Sequence, residues 1–160
     1  MPGLDLSQAE FLFHSDALSD AGLLVHEFSG WESLSRPFTF LVDLVCDDPD
    51  LDLEAPIGQP ACLTLRGRLF EGSRYSRHVH GVIERFLQVG AGLRHSRYQA
   101  TLVPTIKPLA FTRNSRIFQK QSGPAVTQKV LRGDKVPSEW ISTISHGNYG
   151  LRDYLVQYQE

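Results

Sequence analysis

An eleven-residue run whose side chains alternate between two faces constrains this chain more than any other feature. Residues 36–46 read RPFTFLVDLVC. A strand turns successive side chains to opposite faces, so Phe38, Phe40, Val42 and Leu44 share one side. Thr39, Leu41, Asp43 and Val45 share the other, which is only partly polar. A strand apolar on one face and half covered on the other fits a barrel wall or a packed interface. Pro37 suits its start, where no ladder donor is needed. Phe38 and Phe40 supply the large buried faces.

Strand patterns recur along the chain, at residues 11–14, 23–31, 61–65, 78–89, 93–103 and 151–159. Gly90, Ala91 and Gly92 separate the two longest, a hairpin spacing in which glycine supplies the positive φ of a tight connection. Gly81, inside a strand, predicts a bulge or the close approach of a neighbouring backbone. Residues 47–58 read as a loop and 67–76 as a polar turn. Helical signals are confined to two places. One is a turn or two at residues 108–113, after Pro104. The other is residues 122–133, where Ser122 can cap, Pro124 fits the first turn, Val126 and Val130 share a face and Gly133 can end the helix. The expected fold is therefore mainly β, an antiparallel β-barrel with one or two short α-helices, the helix near residues 124–132 packing against the barrel.

The 160 residues fit one domain, or one domain and the start of a second. A 41% apolar fraction is enough for a core, and 16 basic against 18 acidic residues leave a net charge of −2. That balance gives no electrostatic reason to bind nucleic acid or an anionic membrane. Arg66, Arg68, Arg74, Arg77 and Arg85 cluster, as do the acids from Asp43 to Glu54. Both read as solvated segments of opposite sign. No run is long and apolar enough to span a bilayer, so no membrane anchor is expected. The first residues show no basic stretch followed by an apolar one, so export by a cleaved signal is not expected either. Cys46 and Cys62 lack metal-type spacing and read as reduced, half-buried residues.

One catalytic pattern competes. Gly72, His78, His80, Glu84 and Gly90 nearly reproduce the first metal motif of the cupin barrels. On a regular strand His78, His80 and Glu84 would share a face, and imidazole with carboxylate suits a divalent transition metal. The later histidine that such a site needs, in a Pro-x-Gly-x-x-His setting, is missing, since no Pro-x-Gly precedes His146. No nucleophile elbow, phosphate loop or His-Glu-x-x-His run occurs. His26 and Glu27 fall on opposite faces of a strand, and His14, His95 and His146 read as surface residues. Asp47, Asp48, Asp50 and Asp52 lack the glycine and glutamate of a helix-loop-helix calcium site. The expectation is no catalytic residue, no metal ligand and no cofactor, hence no enzyme. A cupin-like metal enzyme is the alternative.

A series of short blocks carries a resemblance. Residues 28–40 read FSGWESLSRPFTF, with Glu32, Leu34-Ser35 and Pro37-Phe38 at matching intervals. Ile57-Gly58 follows, then the short strand from Cys62 to Leu65. Next come RHVHGVI at residues 77–83 and YQATLVP at 98–104. Leu109, RNSRIFQ at 113–119 and QYQE at 157–160 complete the order. Together they resemble the N-terminal region of VgrG proteins, the spikes of bacterial type VI secretion systems, and the related hub proteins of contractile phage tails. Residues 134–146 carry no block that fits. Arg113 and Arg116 flank Ile117-Phe118, a pair placed to dock a connection onto the barrel.

The resemblance implies a structural role. A phage tail hub-like first barrel would occupy residues 1–148, and residues 149–160 would start the following hub segment. Family members continue beyond that point, so the chain looks like a fragment or a truncated relative. The implied partners are two further copies in a homotrimer, the hexameric Hcp tube that the spike caps, and secreted effectors carried by regions beyond residue 160. The implied route is assembly in the bacterial cytoplasm, then secretion without a signal peptide when the sheath contracts. A prophage tail baseplate hub is the neighbouring alternative.

Overall fold

The structure, a computed structural model, describes residues 10–68, 74–92, 94–133 and 149–159. It divides into two compact units, residues 1–104 and 105–160.

The first unit is an antiparallel six-stranded sheet. Its strands are β1 (Phe11–His14), β2 (Leu24–Ser33), β3 (Arg36–Cys46), β4 (Pro60–Arg68), β5 (Arg74–Ala91) and β6 (Ser96–Val103), in the order β1-β4-β5-β6-β3-β2. The eleven-residue alternating run is β3, as its pattern requires. Phe40, Val42, Leu44 and Cys46 are buried on one face, while Thr39, Leu41, Asp43 and Val45 are half-buried on the other. Phe38 belongs to the buried row but is itself only half-buried. The core gathers the inward residues of the other strands: Leu63, Val79, Ile83, Phe86, Tyr98, Ala100 and Leu102.

The sheet curls until its two edge strands meet. Phe11 of β1 and Phe28 of β2 stack edge to face with ring centroids 5.1 Å apart. Nearer the β2–β3 turn, Arg77 of β5 ion-pairs with Glu32 of β2. The result is a barrel in which no backbone ladder joins β1 to β2 among the described residues.

Glycines permit the curl where the reason is space. A Cβ on Gly81 would lie 2.2 Å from the Val103 carbonyl oxygen, so the expected close approach of a neighbouring backbone is present. On Gly30 it would fall 2.3 Å from the ring of Phe40, its register partner, and on Gly67 it would fall 2.5 Å from the ring of Tyr75, likewise its partner. Each ring lies against a glycine on the adjacent strand, a packing that only a missing side chain allows.

The β5–β6 connection lies where glycine spacing puts it, but the reason differs. Neither Gly90 nor Gly92 has a positive φ. β6 starts at Ser96, which pairs with Ala91. The Gly92 N–H donates to the His95 carbonyl at 3.0 Å, and a Cβ on Gly92 would meet that oxygen at 2.8 Å. Close approach, not left-handed backbone, selects glycine there. Residues 69–73, inside the expected polar turn, and 134–148, which include His146 and the whole stretch without a family block, lie outside the described residues.

The second unit contains a 3₁₀ turn (Lys107–Phe111), β7 (Arg116–Gln121), α1 (Gly123–Gly133) and β8 (Arg152–Gln157). β7 and β8 form a two-stranded antiparallel ribbon. Ser122 caps α1 through a hydroxyl that accepts from the Ala125 N–H at 3.4 Å. Within its unit, the apolar stripe of α1, Val126, Val130 and Leu131, faces Phe118 and Leu155 of the ribbon. The compact units part after Pro104, and β8 pairs with β7 within the second unit.

Candidate functional site

The histidine pattern resolves into an exterior row. Val79 and Gly81 face the core, so His78 and His80 point outward and are exposed. Their rings stand 6.2 Å apart. His78 lies 3.0 Å from the Thr64 hydroxyl through Nδ1 and 3.3 Å from that of Ser76 through Nε2. His80 Nε2 lies 3.9 Å from Cys62 Sγ, its register partner's sulfur. Glu84 is exposed four residues beyond His80, and the β5–β6 register shifts beside it, between Ile83 and Arg85. Inward positions step from 79, 81 and 83 to 86, which places Glu84 in the bulge. Gly72 lies outside the described residues. Among those described, no three His, Cys, Asp or Glu side chains form a group that could hold a metal ion.

Cys46 is buried and its thiol hydrogen-bonds the Asp48 carbonyl at 3.2 Å. Burial pushes its pKa up, against the contrary pull of that contact, which leaves a packed thiol and not a nucleophile. Cys62 is half-buried, and both cysteines are free.

The two ends of the barrel differ. At one end the acidic loop is tied down from inside. Tyr98 is fully buried and stacks on Phe86 at 5.5 Å, and its hydroxyl donates to the Asp48 carbonyl at 2.9 Å. Gln88 donates to the Pro49 carbonyl at 3.0 Å, and His95 pairs with Asp47 at 2.6 Å. Asp48 accepts from the Asp50 N–H, and Asp52 accepts from the N–H groups of Glu54 and Ala55. Those two donors hold the fully exposed Asp52 carboxylate below the usual aspartate range. The carboxylates are engaged in their own turns.

At the other end the β2–β3 turn projects. Leu34 is 96% exposed and Trp31 63% exposed, and Ser35 adopts φ 61°. A second apolar surface lies on the ribbon. Phe118 and Leu155 face α1, while Ile117, Tyr154 and Val156 line the other side and are exposed. Of the Ile117-Phe118 pair, therefore, only Phe118 buries, and it does so against the helix. Surfaces of this kind serve assembly better than catalysis, since they offer contact area without a reactive group.

A family model described as phage tail baseplate hub (GPD) matches residues 31–160. The chain belongs to this family. Among curated relatives, this hub-family chain is 35% identical over 97% of its length to the type VI secretion system spike protein VgrG1b of Pseudomonas aeruginosa. It is 35% identical over 96% of its length to VgrG4b of the same organism, and 36% identical over 96% to VgrG1c. It spans about a fifth of each, at 20%, 18% and 20% of their lengths. Its fold matches that of the E. coli c3393 protein with a TM-score of 0.74 and 24% identity, over 93% of this chain and 39% of the other. That protein is described as a component of the type VI secretion system, similar in structure to the T4 bacteriophage tail proteins gp27 and gp5.

The hub blocks read from the sequence fall on structural joints. Glu32 and Arg77, from separate blocks, form the cross-barrel ion pair, and Gly81 is the close-approach glycine. Sequence reading missed that ion pair and the Tyr98 tether. A tyrosine among buried strand residues was the available signal for the second, because a buried hydroxyl needs a partner.

Proposed function

We propose that this chain is an N-terminal hub module of a type VI secretion spike, an assembly part and not an enzyme. The observation that carries the reading is the co-linear match to spike proteins across nearly its whole length. The module would join two further copies in a homotrimer that caps the Hcp tube, with effectors carried by other parts of the spike. It would be assembled in the cytoplasm and secreted without a cleaved signal. Among the described residues no helix is long and apolar enough to cross a membrane. In this reading residues 1–148 form the first hub domain and 149–160 lead into the next, although β8 already pairs back with β7.

Deleting the coding region for residues 10–104 in the bacterium that carries it tests the proposal. Export of Hcp to the medium should be lost and restored by the intact gene. Unchanged export would sink the reading. The matched family model is itself that of a phage tail hub, which favours a second reading as a prophage baseplate component. Under that reading the same deletion leaves Hcp export intact and yields tail particles without a baseplate.

A further inference from the structure

Two arms of the barrel project beyond the end of β6. The pairing of β5 with β6 begins at Val82 with Val103, so residues 74–81 of β5 pair only with β4. The pairing of β3 with β6 begins at Phe40 with Leu102, so residues 36–39 of β3 pair only with β2. Gly81 marks the parting point, its α-carbon pressed against the Val103 carbonyl where β6 ends. Past that point one arm is β1-β4-β5 and the other is the β2–β3 hairpin. No ladder spans them among the described residues. Side-chain contacts join them: both arms contribute residues to the shared apolar core, Phe11 of β1 meets Phe28 of β2, and farther out Arg77 of β5 ion-pairs with Glu32 of β2.

An antiparallel ladder opens only when several backbone hydrogen bonds break together. This seam has no ladder to break, being held by side-chain packing and, at its outer end, by one half-exposed ion pair. We propose that the barrel opens along the β1–β2 seam, by parting of these two arms, and that Glu32–Arg77 is the latch. Glu32 stands two residues from the exposed tip at Leu34, and Arg77 stands four residues beyond Gly81. The latch therefore sits far from the parting point, where a small attraction resists the largest displacement. The inner ladders of β3, β6 and β5 from Val82 onward stay closed as the arms separate. This inference stands on the geometry alone and does not depend on the proposed spike role.

Hydrogen exchange followed by mass spectrometry on the 160-residue chain tests it. The variants are Glu32→Gln, Arg77→Gln and the swap Glu32→Arg with Arg77→Glu. Each single variant should speed exchange in residues 28–39 and 74–81 by roughly two- to five-fold, the range an exposed ion pair supplies. Residues 40–46 and 96–103 should exchange at the parent rate, and the swap should recover most of the lost protection. The unaltered chain in 1 M salt should show the same arm-limited acceleration, because salt screens a half-exposed pair. Arms that exchange at the parent rate in both single variants would overturn the latch. So would a swap as loose as the singles. Acceleration spread evenly over all six strands would overturn the parting of arms, since the barrel would then open as a whole.

Discussion

The two compact units use their apolar residues in opposite ways. In the six-stranded unit the strands place them inward, and among the described residues all but two of the buried apolar side chains lie there. Among the described residues of the ribbon-and-helix unit Phe118 and Leu131 are the buried apolar ones, while Phe111, Ile117, Leu151, Tyr154, Val156 and Tyr158 are each at least 65% exposed. Six strands curled on themselves enclose a volume with walls on every side. A two-stranded ribbon has two faces, and one helix covers only one of them. The first unit has the core of an independently stable fold, whereas the second borders on the minimum a ribbon needs.

Paired truncations probe that contrast most strongly. Phe86→Ala removes a ring stacked on buried Tyr98 and should lower the stability of the first unit by about 3–5 kcal/mol, read from the urea midpoint. Phe118→Ala removes a ring of the same size but should erase only the helical signal of α1, leaving the main transition in place. A shared shift of one transition in both variants would mean that the units unfold together and the contrast fails. Gly81→Ala comes next. Its methyl would have to displace the backbone at Val103, for about 1–3 kcal/mol in the same transition.

Smaller effects sharpen the comparison within each unit. Tyr98→Phe keeps the stacked ring but removes the stronger of two donors to the Asp48 carbonyl, leaving the Cys46 thiol, at a cost of about 1–2 kcal/mol. Proteolysis should then cut residues 47–54 faster while the sheet remains intact. Ser122→Ala should cost about 0.5 kcal/mol, the low end for a cap, because the hydroxyl sits 3.4 Å from its donor. Circular dichroism should show the loss at α1 alone. The smallest effect is a titration. The folded pKa of Asp52 lies below its unfolded value, so its turn is held above the ordinary aspartate range and is released as pH falls through the folded pKa. In carbon-detected NMR, Asp52 should titrate below a free aspartate, and Ala55→Pro, which removes one of its two donors, should move it upward.

Much of the barrel was legible because a two-residue period repeats over long strands. Residues 36–46 fixed a face, and the observed pairing with β2 and β6 keeps that apolar side inward. The glycine-flanked connection after β5 was legible in place but not in cause. A glycine answers equally to a positive φ and to a lack of space, and only coordinates separate the two. The helix at residues 123–133 showed its apolar stripe, but a stripe does not name its partner. Here the partner was the ribbon beside it. The spacing of residues 78–84 resembles a metal motif, but nothing in it announces the bulge after Ile83, and the described His78, His80 and Glu84 are not gathered into one group. Glu32 and Arg77 stand 45 residues apart in unrelated patterns, so no periodicity could have joined them. The shared family blocks did mark both residues, which is where resemblance carried more than physics.

The rings laid over Gly30 and Gly67 have a use in spectroscopy. Phe40 and Tyr75 each occupy the space where a side chain would begin, so one α-proton of each glycine is directed at atoms of an aromatic ring. Ring currents shift protons held that close, and both glycines should show a widely split α-proton pair. Gly30 lies on the arm that carries Glu32, and Gly67 on the arm that carries Arg77. The chain thus contains two native reporters, one in each hairpin, whose chemical shifts follow the pairing of β2 with β3 and of β4 with β5 without any label.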